Sequence, residues 1–180
     1  EQEIALGLQA APQMARQFGG LDPNPNAQGI VDEIGARVVA NSPAGRSPYQ
    51  FDFHLLDDPQ TINSFALPGG QIIITRALLV RLQNEAQLAG VLGHEVGHVI
   101  GRHSAEHIAK AKLTEGLTGA VVLATYDPDN PASAGSAQIA ALIGQLINLK
   151  YGREDELESD FLGVCFMTDA GYDPNEMIGV

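Results

Sequence analysis

The sequence predicts an α+β fold that is mainly helical and contains a small, mainly antiparallel sheet. Apolar residues recur every three or four positions near both ends of the chain, which is the period of a helix with one buried face. Between these regions Phe51, Phe53 and Leu55 alternate with polar residues, which is the period of a half-buried strand. The chain has 180 residues, of which 44% are hydrophobic. We therefore expect a single domain over residues 1–180.

Two helices are predicted before the sheet. The first covers residues 1–18, and Pro12 predicts a kink within it. The polar segment 22–26 ends this helix and caps a second one. The apolar positions of the second helix are Ala27, Ile30, Ile34 and Val38.

Three strands are predicted next, joined by two tight turns. The strand over 51–55 is followed by a turn at Asp57-Asp58-Pro59, and a second strand covers 62–67. A turn at Pro68-Gly69-Gly70 leads into the third strand over 71–75. Both turns reverse the chain, which is why we expect a mainly antiparallel sheet.

The remainder of the chain is predicted to be helical. Asn84 and Gln87 form a capping-box pattern at the start of one helix. Ser104 is the expected cap of the next helix, which runs to Ala124. A polar loop over 127–133 precedes a helix over 136–150, and a last helix covers 153–170 and stops at Gly171.

The composition excludes several classes of protein. A net charge of −12 repels phosphates, so we expect no nucleic-acid partner. The single cysteine, Cys165, excludes an internal disulfide and multi-cysteine metal sites, and we expect it in the core. We expect no membrane span, since the best apolar run is about half of the roughly 20 residues that a spanning helix needs. The chain begins at Glu1 and ends at Val180, so we expect a piece of a longer protein with a further C-terminal part.

Four of the five histidines lie close together, and two of them form an HExxH motif. His94 and His98 are four residues apart on a predicted helix, so both imidazoles lie on one face and can bind one metal ion. Glu95 is rotated by about 100° from His94, which suits a base that acts beside the metal. The alternative is an amphipathic helix whose two histidines have ordinary polar partners.

A catalytic zinc needs a third protein ligand, and the sequence offers two candidates. Residues 94–104 read HEVGHVIGRHS, against the HExxHxxGxxH pattern of metzincins, so the third histidine arrives one position early. On a continuous helix His103 points away from the metal, about 900° from His94. His107 has the same relation to His98. We therefore expect surface or packing roles for His103 and His107, and keep a His103 ligand as the alternative.

The second candidate is Glu156, in an acidic segment of the last helix. Asp160 lies one turn further on the same face, whereas Glu158 points away and is expected to meet solvent. Glu156 can bind the metal while Asp160 accepts a hydrogen bond from the far nitrogen of His94 or His98. The alternative for this segment is a solvated acidic helix face.

These segments together resemble one family of zinc peptidases, which includes the CAAX prenyl endopeptidases and HtpX. The resemblance is carried by NSFALPGG at 63–70, HEVGHVIGRHS at 94–104 and ELESDFLG at 156–163, in that order, and by TRALL at 75–79 and AGYDP at 170–174. It implies a zincin-like (gluzincin) metallopeptidase fold with an HExxH active-site helix. It also implies one Zn²⁺ per chain held by His94, His98 and Glu156, with Ser159 in place of the usual alanine of ExxAD and Glu95 as the catalytic base.

The resemblance further implies an endopeptidase that cleaves peptide bonds with zinc-activated water. Without membrane spans, the chain is similar to the soluble, BepA-like periplasmic branch, which implies protein quality control at the cell envelope and polypeptide substrates such as misfolded envelope proteins. Family members carry a later His-Pro element, and this branch often carries a C-terminal helical-repeat domain. Neither is found in the 180 residues, so we expect this piece to be weakly active or inactive without them.

The predicted second strand is the expected substrate edge. An extended peptide can pair with such a strand, and glycines allow a close backbone approach. The expected substrate-binding residues are Asn63, Ala66, Leu67, Pro68 and Gly69. The competing function is a zinc-stabilised, chaperone-like module that binds unfolded polypeptides at the same strand without cutting them.

Overall fold

The computed structural model describes residues 2–114, 144 and 150–179. The mainly helical α+β class is confirmed. The helices are α1 (Gln2–Gln17), α2 (Pro25–Ala40), α3 (Arg76–Leu79), α4 (Glu85–Ile100), α5 (His103–Thr114) and α6 (Arg153–Asp169). The strands are β1 (Asp52–Leu56), β2 (Ser64–Ala66) and β3 (Gln71–Thr75). The predicted loop over 127–133 and nearly all of the predicted helix over 136–150 lie outside the described residues.

The three strands form a mixed sheet, not a mainly antiparallel one. β3 pairs with β2 in antiparallel fashion and with β1 in parallel fashion, in the order β1-β3-β2. The chain does reverse at both predicted turns, but β3 enters between the other two strands. Its isoleucines Ile72, Ile73 and Ile74 are at most 1% exposed, so both of its faces are covered and the central position suits it.

Helix α4 lies at the centre of the molecule and is buried over most of its length. Asn84 caps its start, as predicted, by accepting a hydrogen bond from the Gln87 N–H at 2.9 Å. The helix packs on α2, on the sheet and, most extensively, on α6. Among the described residues, no helix has both the length and the apolar composition that crossing a membrane requires.

Glycines allow α4 and α6 to approach closely. A Cβ atom added to Gly163 of α6 would lie 2.9 Å from the backbone nitrogen of His94. A Cβ atom added to Gly93 would lie 3.0 Å from the carbonyl oxygen of Gly163. Because the two backbones touch here, side chains of α6 can reach the histidines of α4.

The chain turns sharply between α4 and α5. Helix α4 ends at Ile100, and Arg102 has a φ of 60°, a left-handed conformation that is uncommon outside glycine. Helix α5 then begins at His103. The prediction that Ser104 caps this helix is wrong, because Ser104 lies inside it and its hydroxyl donates to the carbonyl of Ala66 at 2.9 Å.

Candidate active site

Three side chains from two helices converge at the predicted metal site. On α4, the Nε2 atoms of His94 and His98 lie 2.9 Å apart. On α6, the Oε2 atom of Glu156 lies 3.5 Å from Nε2 of His94. One donor atom from each of these residues lies within 4.8 Å of the other two. Among the described residues, His94, His98 and Glu156 form the group of side chains that could hold a metal ion.

The protonation state of His98 also suits metal binding. Its side chain is buried, and burial together with the neighbouring His94 and His103 lowers its pKa to about 3. The imidazole is therefore neutral near pH 7, which is the form that binds a metal. Two imidazole nitrogens and one carboxylate oxygen form a donor set typical of catalytic zinc sites. The residues present fit such an ion.

Glu95 is buried beside these donors and is not one of them. It is 6% exposed, and burial raises the pKa of its carboxyl, against the lowering effects of His94 and of the Ser64 hydroxyl. Ser64 Oγ donates to Oε1 of Glu95 at 2.5 Å. Sequence reasoning missed Ser64. It lies within the NSFALPGG segment, but nothing in the sequence showed that its hydroxyl faces α4.

Each site imidazole has a second polar partner behind it. Asp160 Oδ1 lies 2.9 Å from Nδ1 of His94. Nδ1 of His98 lies 2.9 Å from Nδ1 of His103, which is 3% exposed. Glu158 Oε2 in turn lies 3.3 Å from Nε2 of His103. His103 is therefore buried, not at the surface, and Glu158 meets solvent as predicted while one of its oxygens also contacts His103.

Residues 94–103 do not form one continuous helix. The left-handed turn at Arg102 redirects the chain, so His103 folds back beneath His98. It contacts His98 without joining the group of metal donors, so the geometry does not support a His103 ligand. His107 lies one turn further along α5 and is paired with Asp155 Oδ2 at 2.8 Å.

Tyr151 covers the other side of His98. Its ring stacks on the imidazole with centroids 4.0 Å apart and an interplanar angle of 22°. Its hydroxyl lies 2.6 Å from Ser104 Oγ, and burial raises its pKa. Sequence reasoning missed Tyr151, which carries no motif of its own. Its ring limits the space in which His98 can move.

A cleft of about 760 Å³ opens over the site. Strand β2, one of the two edge strands of the described sheet, forms one side of the cleft together with the residues that flank it. The predicted residues on this side are Asn63, Ala66 and Leu67. An apolar wall comes from other elements: Leu78, Val91, Val164, Met177 and Ile178.

Pro68 and Gly69 are not brought into this cleft. A Cβ atom on Gly69 would clash with the Cα atom of Ile4, and a Cβ atom on Gly7 would clash with the carbonyl oxygen of Pro68. The close backbone approach that these residues permit is therefore an approach of helix α1, not of a substrate.

The fold and the site together define a class of protein. A buried helix that carries HExxH, packed against a helix that supplies a third donor carboxylate, is the arrangement of zinc metallopeptidases. Residues 25–180 match the sequence model of Peptidase family M48, and the chain belongs to that family.

Three relatives of the chain are named as proteases or endopeptidases. The chain is 33% identical over 182 residues to the Beta-barrel assembly-enhancing protease of Yersinia pestis, covering 98% of this chain and 36% of the relative. It is 30% identical over 187 residues to the protein of the same name from Escherichia coli (strain K12), covering 97% of this chain and 36% of the relative. It is 35% identical over 145 residues to the Mitochondrial metalloendopeptidase OMA1 of Schizosaccharomyces pombe, covering 81% of this chain and 40% of the relative. The chain thus spans little more than a third of the length of these relatives.

Proposed function

We propose that this protein is a zinc-dependent endopeptidase, with one Zn²⁺ per chain held by His94, His98 and Glu156. The observation that carries the proposal is the convergence of these three donors beside the buried carboxylate of Glu95. Membership of a metallopeptidase family supports it. In this proposal His94, His98 and Glu156 bind the metal, and Glu95 transfers protons.

When bound, zinc lowers the pKa of a water molecule and polarises the carbonyl of the scissile peptide bond. Glu95 accepts the proton of the attacking water and delivers it to the leaving amine. Its raised pKa makes it a stronger base than an exposed carboxylate. The Ser64 hydroxyl donates a hydrogen bond to one of its oxygens, which restricts the orientation of the carboxylate.

The substrate in this proposal is an extended polypeptide bound along strand β2. An edge strand offers backbone groups to an added strand, and β2 lines the cleft that contains the metal donors. Asn63, Ala66 and Leu67 are its proposed substrate-binding residues. The bacterial relatives are named as proteases that enhance beta-barrel assembly. We propose envelope polypeptides, including misfolded ones, as substrates and quality control in the periplasm as the role, as the sequence resemblance implies.

To test the proposal, zinc content and the cleavage of casein, an unfolded substrate, are measured on the unaltered protein and on its variants. Glu95→Gln keeps the shape of the side chain but removes the base, so it should retain zinc while cleavage falls by about 10²–10⁴-fold. Glu156→Ala should lose the metal. Glu154→Ala is the matched control, since Glu154 is an exposed glutamate of the same helix and should change neither property.

Two results would contradict the proposal. Undiminished cleavage by Glu95→Gln would show that another group transfers the proton. Zinc and casein binding with no cleavage, in the protein at its full length as well as in these 180 residues, would favour the chaperone-like binding module.

A further inference from the structure

Two buried imidazoles share one hydrogen bond beneath the site. The Nδ1 atoms of His98 and His103 lie 2.9 Å apart, and the two residues are 2% and 3% exposed. Two ring nitrogens at this distance form a hydrogen bond only when one carries a proton and the other does not. The direction of that bond therefore follows from the tautomer of either ring.

The metal site determines the tautomer of His98. Its Nε2 atom is the one that faces His94 Nε2, so Nε2 must be free of a proton for a metal to bind there. In a neutral ring the proton then lies on Nδ1, which donates to Nδ1 of His103. His103 must therefore carry its own proton on Nε2, the nitrogen that lies 3.3 Å from the Glu158 carboxylate.

We propose that His103 and Glu158 are positioning residues of the metal site, linked to it in the order His98, His103, Glu158. His103 fixes the tautomer and orientation of His98, and Glu158 fixes the tautomer of His103. This proposal rests on the proposed zinc site. The Nδ1 atom of His94 contacts the carboxylate of Asp160 directly. In the proposed arrangement His98 is linked to a carboxylate in the same way, but through the imidazole of His103.

The surrounding chain is built to hold His103 in this place. A Cβ atom on Gly101 would lie 2.5 Å from Nε2 of His103, so the ring occupies space that only glycine leaves free. Arg102 adopts its left-handed conformation between the two. Ser159, which is 0% exposed, places its Oγ atom 3.3 Å from Nδ1 of His103. Polar atoms thus meet both ring nitrogens, which a side chain that merely fills space does not require.

Zinc affinity, measured by competition with a chromophoric chelator, separates positioning from packing. His103→Phe keeps a ring of similar size but has no nitrogen, so it should weaken zinc binding by about 10–100-fold. His103→Asn places an amide oxygen near the position of Nδ1 and should retain most of the affinity. Circular dichroism of the zinc-free proteins shows whether each variant folds.

The second measurement tests the link from His103 to Glu158. Glu158→Ala should weaken zinc binding by about two- to fivefold, the small effect expected when solvent screens the carboxylate that is removed. In the His103→Asn background the shorter side chain does not reach Glu158, so the same substitution should have no effect. Glu154→Ala removes the same charge from the same helix and should leave the affinity unchanged.

The outcomes separate this proposal from the proposed function. If the unaltered protein binds zinc but His103→Phe retains as much zinc affinity as His103→Asn, His103 is a packing residue and the proposal is overturned. An equal effect of Glu158→Ala in both backgrounds would overturn the link to Glu158. If the unaltered protein binds no zinc, the proposed function fails together with this one.

Discussion

Three carboxylates of helix α6 contact imidazoles at the site although solvent reaches all three. The side chains of Glu156, Glu158 and Asp160 are 47%, 58% and 57% exposed. Glu156 and Asp160 both lie against His94, as expected for residues one turn apart. Glu158 projects from another side of the helix and meets His103 instead. Their different contacts, and not their exposure, distinguish them from an ordinary acidic helix face.

Asp160→Ala should weaken zinc binding by about 10–100-fold, because the metal-facing imidazole of His94 loses the acceptor of its far nitrogen. Asp160→Asn keeps an oxygen acceptor without the charge and should give an intermediate affinity. Chelator competition measures both. If Asp160→Ala has no more effect than the exposed Glu154→Ala, Asp160 does not support the site.

At the scale of the elements, the contact between α4 and α6 brings the donors together. Gly93 and Gly97 on α4 face Gly163 and Ser159 on α6, where an added Cβ would lie 3.0–3.1 Å from backbone oxygens. Small residues at this crossing let the carboxylates of one helix reach the imidazoles of the other. The contact therefore determines both the stability of the core and the geometry of the site.

Gly163→Ala should destabilise the protein and weaken zinc binding together. Its Cβ would lie 2.9 Å from a backbone nitrogen that cannot move aside, so the helices must separate, at a cost of about 1–3 kcal/mol in the free energy of unfolding. Gly29→Ala is the matched control, because Gly29 lies inside α2 with open space around it. That change should stabilise the protein by about 0.5–1 kcal/mol. Urea unfolding of both variants checks the opposite signs, and a stabilising Gly163→Ala would contradict this account of the crossing.

At the scale of the molecule, the N-terminal helix is tied to the turn that precedes His103. Arg102 Nε donates to Glu3 Oε1 at 3.2 Å, and the hydroxyl of Tyr49 donates to the other oxygen of Glu3 at 2.9 Å. These residues come from α1, the segment before β1 and the turn between α4 and α5. Helix α1 thereby helps to hold Arg102 in its left-handed conformation, next to the site.

Glu3→Gln should reduce stability near neutral pH but much less in acid. The hydrogen bond from Arg102 holds the pKa of Glu3 below its ordinary value of 4.5. A carboxylate with a lowered folded-state pKa stabilises the fold fully above its unfolded-state pKa, and that contribution is lost as the pH falls through the folded-state value. The difference between the proteins should therefore be complete above about pH 5.5 and shrink below pH 4.5. Urea unfolding across this range measures it, and a difference that grew towards acid would contradict the ion pair.

The features that the sequence predicted correctly depend on local spacing. The positions of His94 and His98, or of Glu156 and Asp160, relative to each other follow from the period of one helix. The start of α4 at Asn84 and the end of α6 before Gly171 follow from capping residues. The strands were recognised from their alternation and their turns, although β2 is shorter than the predicted 62–67.

The residues of the HExxH motif, and the residues that share a helix face with them, could be recognised from the amino-acid sequence because a helix has one fixed period. Three other features of the fold could be recognised only from the tertiary structure. β3 lies between β1 and β2, Gly69 faces α1, and His103 lies beneath His98. Each depends on contacts between segments far apart in the chain or, for His103, on a left-handed turn at a residue whose type does not favour one. Local spacing contains no information about either.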